Sequence, residues 1–251
     1  MSVISINNIT RKFPIFDDDI SDNDRVRDGF FFALDGISLS VEKGECTIIA
    51  GANGSGKSLL MMIASGLEEP SSGSVKTSGK VRIVFQEPDA QILGETPRED
   101  IAFGPRNLGL SKEEVKLRVD NALSQTGLSQ RADFPALSLS GGEKRRLAAA
   151  GVLAMDAEII IFDEPYANMD FPGVVQVNAL LKKLITDGKT VIILTHELEK
   201  CLALANRLVV LLKGKKVFDG TASQALNHEL ENWGIHHPLK KKPDKLEDLL
   251  W

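Results

Sequence analysis

The chain has 251 residues, 43% of them hydrophobic and 26% charged, with a net charge of −5. That is the composition of a globular protein with room for one large α/β domain, or a domain with a subdomain. The acidic balance argues against nucleic acid as the main partner, since a phosphate-binding surface needs a basic patch. The two cysteines, Cys46 and Cys201, lack metal-type spacing and read as buried thiols of a reducing cytoplasm.

In chain order, residues 1–6 lack the basic region and long apolar run of a signal peptide. Ile4 and Ile6 alternate with polar residues and predict a strand, as do Ile37, Leu39 and Val41. Between them, residues 17–24 are acidic and turn-rich, either a solvated loop or a contact surface. Phe30, Phe31 and Phe32 read as core. Cys46-Thr47-Ile48-Ile49-Ala50 has strand character, and residues 59–64 read as a helix. Val81-Arg82-Ile83-Val84-Phe85 is a further strand. The pattern from about Ser111 to Gly127 is helical and charged, and residues 148–153 continue a helix. Residues 159–162, 191–194 and 208–212 are short continuous apolar runs, suited to strands buried on both faces of a parallel sheet. Helical patterns intervene, so the core should be a covered α/β sheet. No run approaches the roughly 18 apolar residues of a membrane helix; work at a membrane would need another chain to span it. The tail after Ala222 carries Pro238 and Lys240-Lys241-Lys242, solvated lysines or a weak attraction to anionic lipid.

Three segments carry chemistry. Gly51-Ala52-Asn53-Gly54-Ser55-Gly56-Lys57-Ser58 fits the phosphate-binding pattern G-x-x-x-x-G-K-[ST], and it sits between a strand and a helix as that pattern requires. Its glycines let backbone N–H groups curl around a phosphate, backed by a helix N-terminus. Lys57 would reach the β- and γ-phosphates, and the Ser58 hydroxyl would bind Mg²⁺. The apolar strand before Asp163-Glu164-Pro165 ends in two carboxylates. Asp163 would hold Mg²⁺ and Glu164 would act as general base on water; alone, the same residues also fit a turn capping a helix. Leu139-Ser140-Gly141-Gly142-Glu143 opens a helix. Ser140 and Glu143 have capping-box spacing, and a helix start so capped can also face an anion.

The order of phosphate loop, Gln86, Leu139-Ser140-Gly141-Gly142-Glu143, Asp163-Glu164 and His196 resembles the ATP-binding subunits of ABC transporters over about residues 1–222. The resemblance implies an α/β fold with a P-loop (RecA-like) core, an antiparallel β subdomain and an inserted α-helical subdomain. The core would take residues 1–85 and 153–222, the helical subdomain 86–152 and a short C-terminal extension 223–251. It implies ATP and Mg²⁺ as cofactors. Gly51, Asn53, Gly54, Ser55, Gly56, Lys57, Ser58 and Leu59 would bind nucleotide, and Phe13 would stack on adenine. Ser58, Gln86 and Asp163 would hold Mg²⁺, and Glu164, His196 and Gln86 would serve hydrolysis. Ser140, Gly141, Gly142 and Glu143 would close over ATP held by a second subunit, with Asp170 in the dimer-facing loop.

Phe85-Gln86-Glu87-Pro88-Asp89-Ala90-Gln91 and the stretch from Glu99 to Gly109 narrow the resemblance to the energy-coupling-factor and cobalt/nickel importers. That group implies a homodimer or a heterodimer with a second ABC ATPase on the cytoplasmic face of the membrane. A transmembrane coupling protein and a separate capture protein for a vitamin or transition-metal ion would complete it, with no nucleic acid. The alternatives are a soluble ABC ATPase switching nucleic acid or ribosomes, and an export ATPase. The chain departs from the pattern in four places, two of them lengths: the stretch from Gly73 to Gln86 and the tail are both shorter than usual. Leu59 replaces a usual threonine and removes one hydroxyl, worth about 0.5–1.5 kcal/mol net. Ala167-Asn168-Met169-Asp170 lacks the usual serine.

Overall fold

The computed structural model describes residues 1–16 and 24–240. The acidic run 17–23, Lys241 and Lys242 lie outside the described residues. Two sheets build the molecule. In the first, β1 (Ser2–Pro14) pairs antiparallel with β3 (Phe30–Glu42), with Ile6 opposite Leu39 and Phe13 opposite Phe31. β2 (Val26–Arg27) and β5 (Ser72–Thr77) extend it to the order β2-β3-β1-β5.

The second sheet holds β4 (Cys46–Ala50), β6 (Val81–Val84), β7 (Ile159–Asp163), β8 (Thr190–Thr195), β9 (Arg207–Leu212) and β10 (Lys215–Gly220). Its order is β10-β9-β4-β8-β7-β6, and every pairing is parallel except β9 with β10. The continuous apolar runs follow from burial on both faces. Ile161, Ile192, Leu194 and Val209 point with Ile49 into a core shared with Ile6, Leu39 and α1 (Lys57–Ala64). Their neighbours Ile160, Ile193 and Val210 point with Ile48 into a second core against Leu180, Leu181 and Leu184 of α5 (Phe171–Thr186). A strand with core on each side has no polar face to alternate with.

Between β6 and β7 the chain forms α2 (Pro97–Asn107), α3 (Lys112–Gln125) and α4 (Gly141–Ala154). These share a third core around Ile101, Val119, Leu123 and Leu147. α4 faces both ways: Leu147 and Ala150 enter that core, while Ala148 and Val152 pack against the parallel sheet. The chain beyond α6 (Ala222–Ala225) is no loose appendage through residue 235, since Ala225, Leu230 and Ile235 are buried in the sheet core. The architecture is the α/β arrangement expected: a mostly parallel core, an antiparallel sheet on one face and an inserted helical unit.

One sequence expectation fails. Phe30, Phe31 and Phe32 belong to no core cluster and are half-buried. Each ring instead carries a cation: Lys12 over Phe30 at 4.0 Å, Arg25 over Phe31 at 4.4 Å and Arg27 over Phe32 at 3.9 Å. The aromatic faces are covered by charge rather than by apolar neighbours.

Candidate nucleotide site

β4 lies between β8 and β9, with β7 beyond β8. The C-terminal ends of β4, β7 and β8 therefore meet, and this is where a parallel sheet receives ligands. They deliver the loop 51–58, the pair Asp163-Glu164 and His196.

The loop has a conformation that only glycine fits at two points. Gly51 has φ 153°, and a Cβ there would lie 2.3 Å from the Leu211 carbonyl oxygen and 2.6 Å from Ser55 Oγ. Gly56 precedes α1 with φ 102°, in the left-handed region. Among the described residues, α1 differs from the other five α-helices in its start. Thr96, Ser111, Ser140, Asp170 and Thr221 each cap a helix with a side-chain oxygen. α1 has no side-chain cap and no acid in its first turn. Its first N–H groups and the positive end of its dipole face the loop without a protein partner.

Three side chains lock together behind the loop. Lys57 is 5% exposed, and its Nζ donates to the carbonyls of Gly51 at 2.7 Å and Ala52 at 3.3 Å. The same ammonium lies 3.5 Å from Glu164 Oε1. Glu164 Oε1 is also 3.0 Å from Nδ1 of the exposed His196. Glu164 holds φ +44°, a left-handed conformation costing a non-glycine residue about 1–2 kcal/mol. Burial pushes the Asp163 carboxyl above its usual range, helped by the charge of Glu164 and opposed by the Ser58 hydroxyl and Lys57.

Among the described residues, Ser55 Oγ, Asp163 Oδ1 and Glu164 Oε2 are buried without a hydrogen-bond partner. Orphaned buried oxygens are costly. Buried carboxylate oxygens suit a hard divalent cation, and a hydroxyl within the glycine-rich loop suits a phosphate. Among the described residues no cluster of three His, Cys, Asp or Glu side chains could hold a metal alone. The donor set therefore fits an ion such as Mg²⁺, which takes one or two carboxylates and completes its shell with phosphate and water.

A cavity of about 510 Å³ opens over the loop. Asn53, Gly54, Ser55, Gly56, Lys57, Ser58 and Leu59 line it with Gln86 and Glu164. Gly51, Asp163 and His196 join through Lys57, Ser58 and Glu164. Phe13 does not line this cavity; its cross-strand partner Phe31 does, with Arg25. Arg25, just before β2, donates to the carbonyls of Phe32, Gly54 and Ala33, tying the start of β2 to β3 and the loop. No local sequence pattern marks this wall: Arg25 and Arg27 both precede the aromatic run, and it is the pairing of β2 with β3 that brings Arg25 to the loop.

Ser140, Gly141, Gly142 and Glu143 lie outside the cavity lining. They form a complete capping box: Glu143 N donates to Ser140 Oγ at 3.3 Å, and Ser140 N donates to Glu143 Oε2 at 2.9 Å. The Ser140 N–H, with its hydroxyl and then Arg131, holds the Glu143 carboxyl below its usual range. Asp170 is exposed and caps α5, accepting from Gly173 N at 3.0 Å.

A glycine-rich loop, an uncapped helix start and a buried Lys–Glu–Asp group at adjoining strand ends define a P-loop nucleotide-binding protein. The ABC transporter family model matches residues 34–167, and the chain belongs to that family. It is 41% identical to the energy-coupling factor transporter ATP-binding protein EcfA of Carboxydothermus hydrogenoformans, over 84% of this chain and 83% of that one. It is 38% identical to the cobalt import ATP-binding protein CbiO of Rhodobacter capsulatus, over 82% and 80%. Against EcfA2 of Methanospirillum hungatei it is 40% identical over 78% of its own length but spans only 53% of that longer protein. In structure it is similar to cbiO1 of Clostridium perfringens, part of the ABC transporter complex cbiONQ (30% identity, TM-score 0.78, 91% and 92% covered). It also matches a dimeric ATP-binding cassette bound to ADP and phosphate after hydrolysis (26% identity, TM-score 0.75, 87% and 98% covered).

Proposed function

We propose that this chain is the ATP-hydrolysing subunit of an importer of the energy-coupling-factor type, and that its cargo is a vitamin or a transition-metal ion. The observation that carries the reading is the uncapped start of α1 beneath a cavity holding Lys57 and Glu164. Backbone N–H groups of 53–58 and Lys57 bind the phosphates, and Phe31 with Arg25 supports the base. Ser58, Gln86 and Asp163 would hold Mg²⁺, which would screen phosphate charge. Glu164 takes a proton from the attacking water on a carboxylate oxygen, and His196 orients that carboxylate from the other side.

The core would comprise 1–85 and 153–222, the helical unit 86–152 and the extension 223–251. The helical unit offers the docking surface. A groove of about 360 Å³ runs between α2 and α4, lined by Leu93, Phe103, Leu108 and Met155. Leu93 is 68% exposed and Phe103 50% exposed, an apolar edge suited to a helix of a membrane-spanning partner. Among the described residues no helix is long and apolar enough to cross a membrane itself. The relatives' membrane complexes support a peripheral position on the cytoplasmic face, and the dimeric cassette supports pairing of two ATPase subunits.

The test is purification from native membranes in mild detergent, followed by ATPase assay with and without Mg²⁺. A multi-spanning protein in the complex and Mg²⁺-dependent hydrolysis are expected. A chain that copurifies only with ribosomes or DNA overturns the importer reading.

A further inference from the structure

Directly after Glu143, α4 runs Lys144-Arg145-Arg146, and each cation reaches a different part of the molecule. Lys144 Nζ lies 2.6 Å from Asp89 Oδ1, in the turn that follows Gln86. Arg146 donates to Gln176 Oε1 on α5. Arg145 is the buried member, 8% exposed. One Nη donates to the Ala167 carbonyl at 2.6 Å, and the other to the Gln86 carbonyl at 3.1 Å. Its fork thus spans two loops: the one presenting Gln86 to the cavity and the turn that follows Glu164.

Packing alone does not account for an arginine here. Among the described residues no carboxylate pairs with Arg145, and its Nε has no partner. Burial pulls its pKa below the usual arginine value. A buried charge without a counter-ion is expensive, and an apolar side chain of similar volume would fill the space at lower cost. Two backbone carbonyls from two functional loops are the return on that cost. The Gln86 loop is closed from its other end too: Gln91 accepts from Phe85 N at 3.1 Å and donates to the Ile83 carbonyl at 3.0 Å. Gln91 also lines the α2–α4 groove, so this loop runs from the docking surface to the cavity.

We propose that Arg145 is a positioning residue for hydrolysis: it sets Gln86 and Glu164 in register with each other by pinning the backbone of both their loops. The proposal rests on the ATPase reading above. Lysine cannot replace it fully, because an ammonium is a point charge without the planar fork that reaches two carbonyls.

The test compares wild type, Arg145→Lys and Arg145→Met in the complex purified from membranes. ATP affinity, kcat, KM for MgATP and the melting temperature are measured for each. Both variants should bind ATP within about three-fold of wild type, while kcat falls ~10- to 100-fold, the effect of a small misplacement of reacting groups. Arg145→Lys should recover part of that loss. Normal kcat in both variants overturns the proposal. So does a loss that merely follows a fallen ATP affinity or melting temperature, or a failure of both variants to fold; each makes Arg145 structural. Absence of ATP binding by the wild-type chain is a separate result, and it removes the ATPase reading itself.

Discussion

Replacing Asp163 by asparagine should stabilise the nucleotide-free protein. Asp163 is 8% exposed and Glu164 5%, and they are neighbours in sequence. At a separation on the order of 6 Å and an effective dielectric near 20, two such charges repel by about 3 kcal/mol. Lys57 offsets part of this, but it lies against Glu164 and is shared with the Gly51 and Ala52 carbonyls. Burial raises the Asp163 pKa. The native state therefore holds a proton that the unfolded state has already lost, between the ordinary carboxylate value and the raised one. Stability falls as pH rises through that window and stays lower above it. An asparagine side chain keeps an acceptor for the Ser58 hydroxyl and removes the charge. A net gain of about 1–2 kcal/mol corresponds to about 2–8 °C for a chain of this size.

The assay is thermal melting at pH 7 and at pH 4, with and without MgATP. Without ligand the variant should melt higher at pH 7, and the gap should shrink at pH 4. With MgATP at 100 times its Kd the wild type should gain about 2.7 kcal/mol, and the variant far less, having lost a carboxylate for the cation. A variant that melts below wild type in the absence of ligand refutes the reasoning. Equal stabilisation of both proteins by MgATP also refutes it.

Other consequences can be checked directly. Glu164→Gln should bind ATP and lose about 10²–10⁴-fold in kcat; near-normal turnover removes Glu164 as the base. Phe31→Ala should weaken ATP binding several-fold in an equilibrium titration, whereas Phe13→Ala should leave it nearly unchanged. The reverse order would return the stacking role to Phe13. Phe103→Glu should release the chain from the membrane pellet, and undiminished sedimentation with membranes would exclude the α2–α4 groove as the docking surface.

The parallel core was legible because burial on both faces leaves a continuous apolar run. β5 and β10 were not, since Ser72-Gly73-Ser74-Val75-Lys76-Thr77 and Lys215-Lys216-Val217-Phe218-Asp219-Gly220 are mostly exposed edges. They are strands by pairing with β1 and β9, a tertiary fact. α2 was hidden by polar residues and Pro105 within it, and its start is fixed by Thr96 and Pro97. In the site, the phosphate loop is local and its spacing alone describes it. The wall of Phe31 and Arg25 depends on how β2 and β3 lie over the loop, which no local pattern encodes. The Glu164 contacts to Lys57 and His196 likewise join three strand ends that only the sheet order makes neighbours.

The division of labour between cavity and signature segment argues for a second subunit. The cavity supplies a base wall, a phosphate loop and a buried carboxylate, yet residues 140–143 of the same chain are outside it. The capping box satisfies Ser140 N and Glu143 N, leaving the N–H groups of exposed Gly141 and half-exposed Gly142 at a helix start. A Cβ at either glycine would meet nothing within 4 Å. This second helix start is open to an anion that its own chain does not present. Shifting an open–closed equilibrium from 1:99 to 99:1 takes about 5.5 kcal/mol of differential binding. Hydrogen bonds to a charged group are worth about 1.5–3 kcal/mol each. The Ser140 hydroxyl and the two glycine N–H groups, placed on a neighbour's γ-phosphate, would therefore supply about 4.5–9 kcal/mol. That range brackets the closing free energy, and hydrolysis would withdraw it by removing the group those three donors hold.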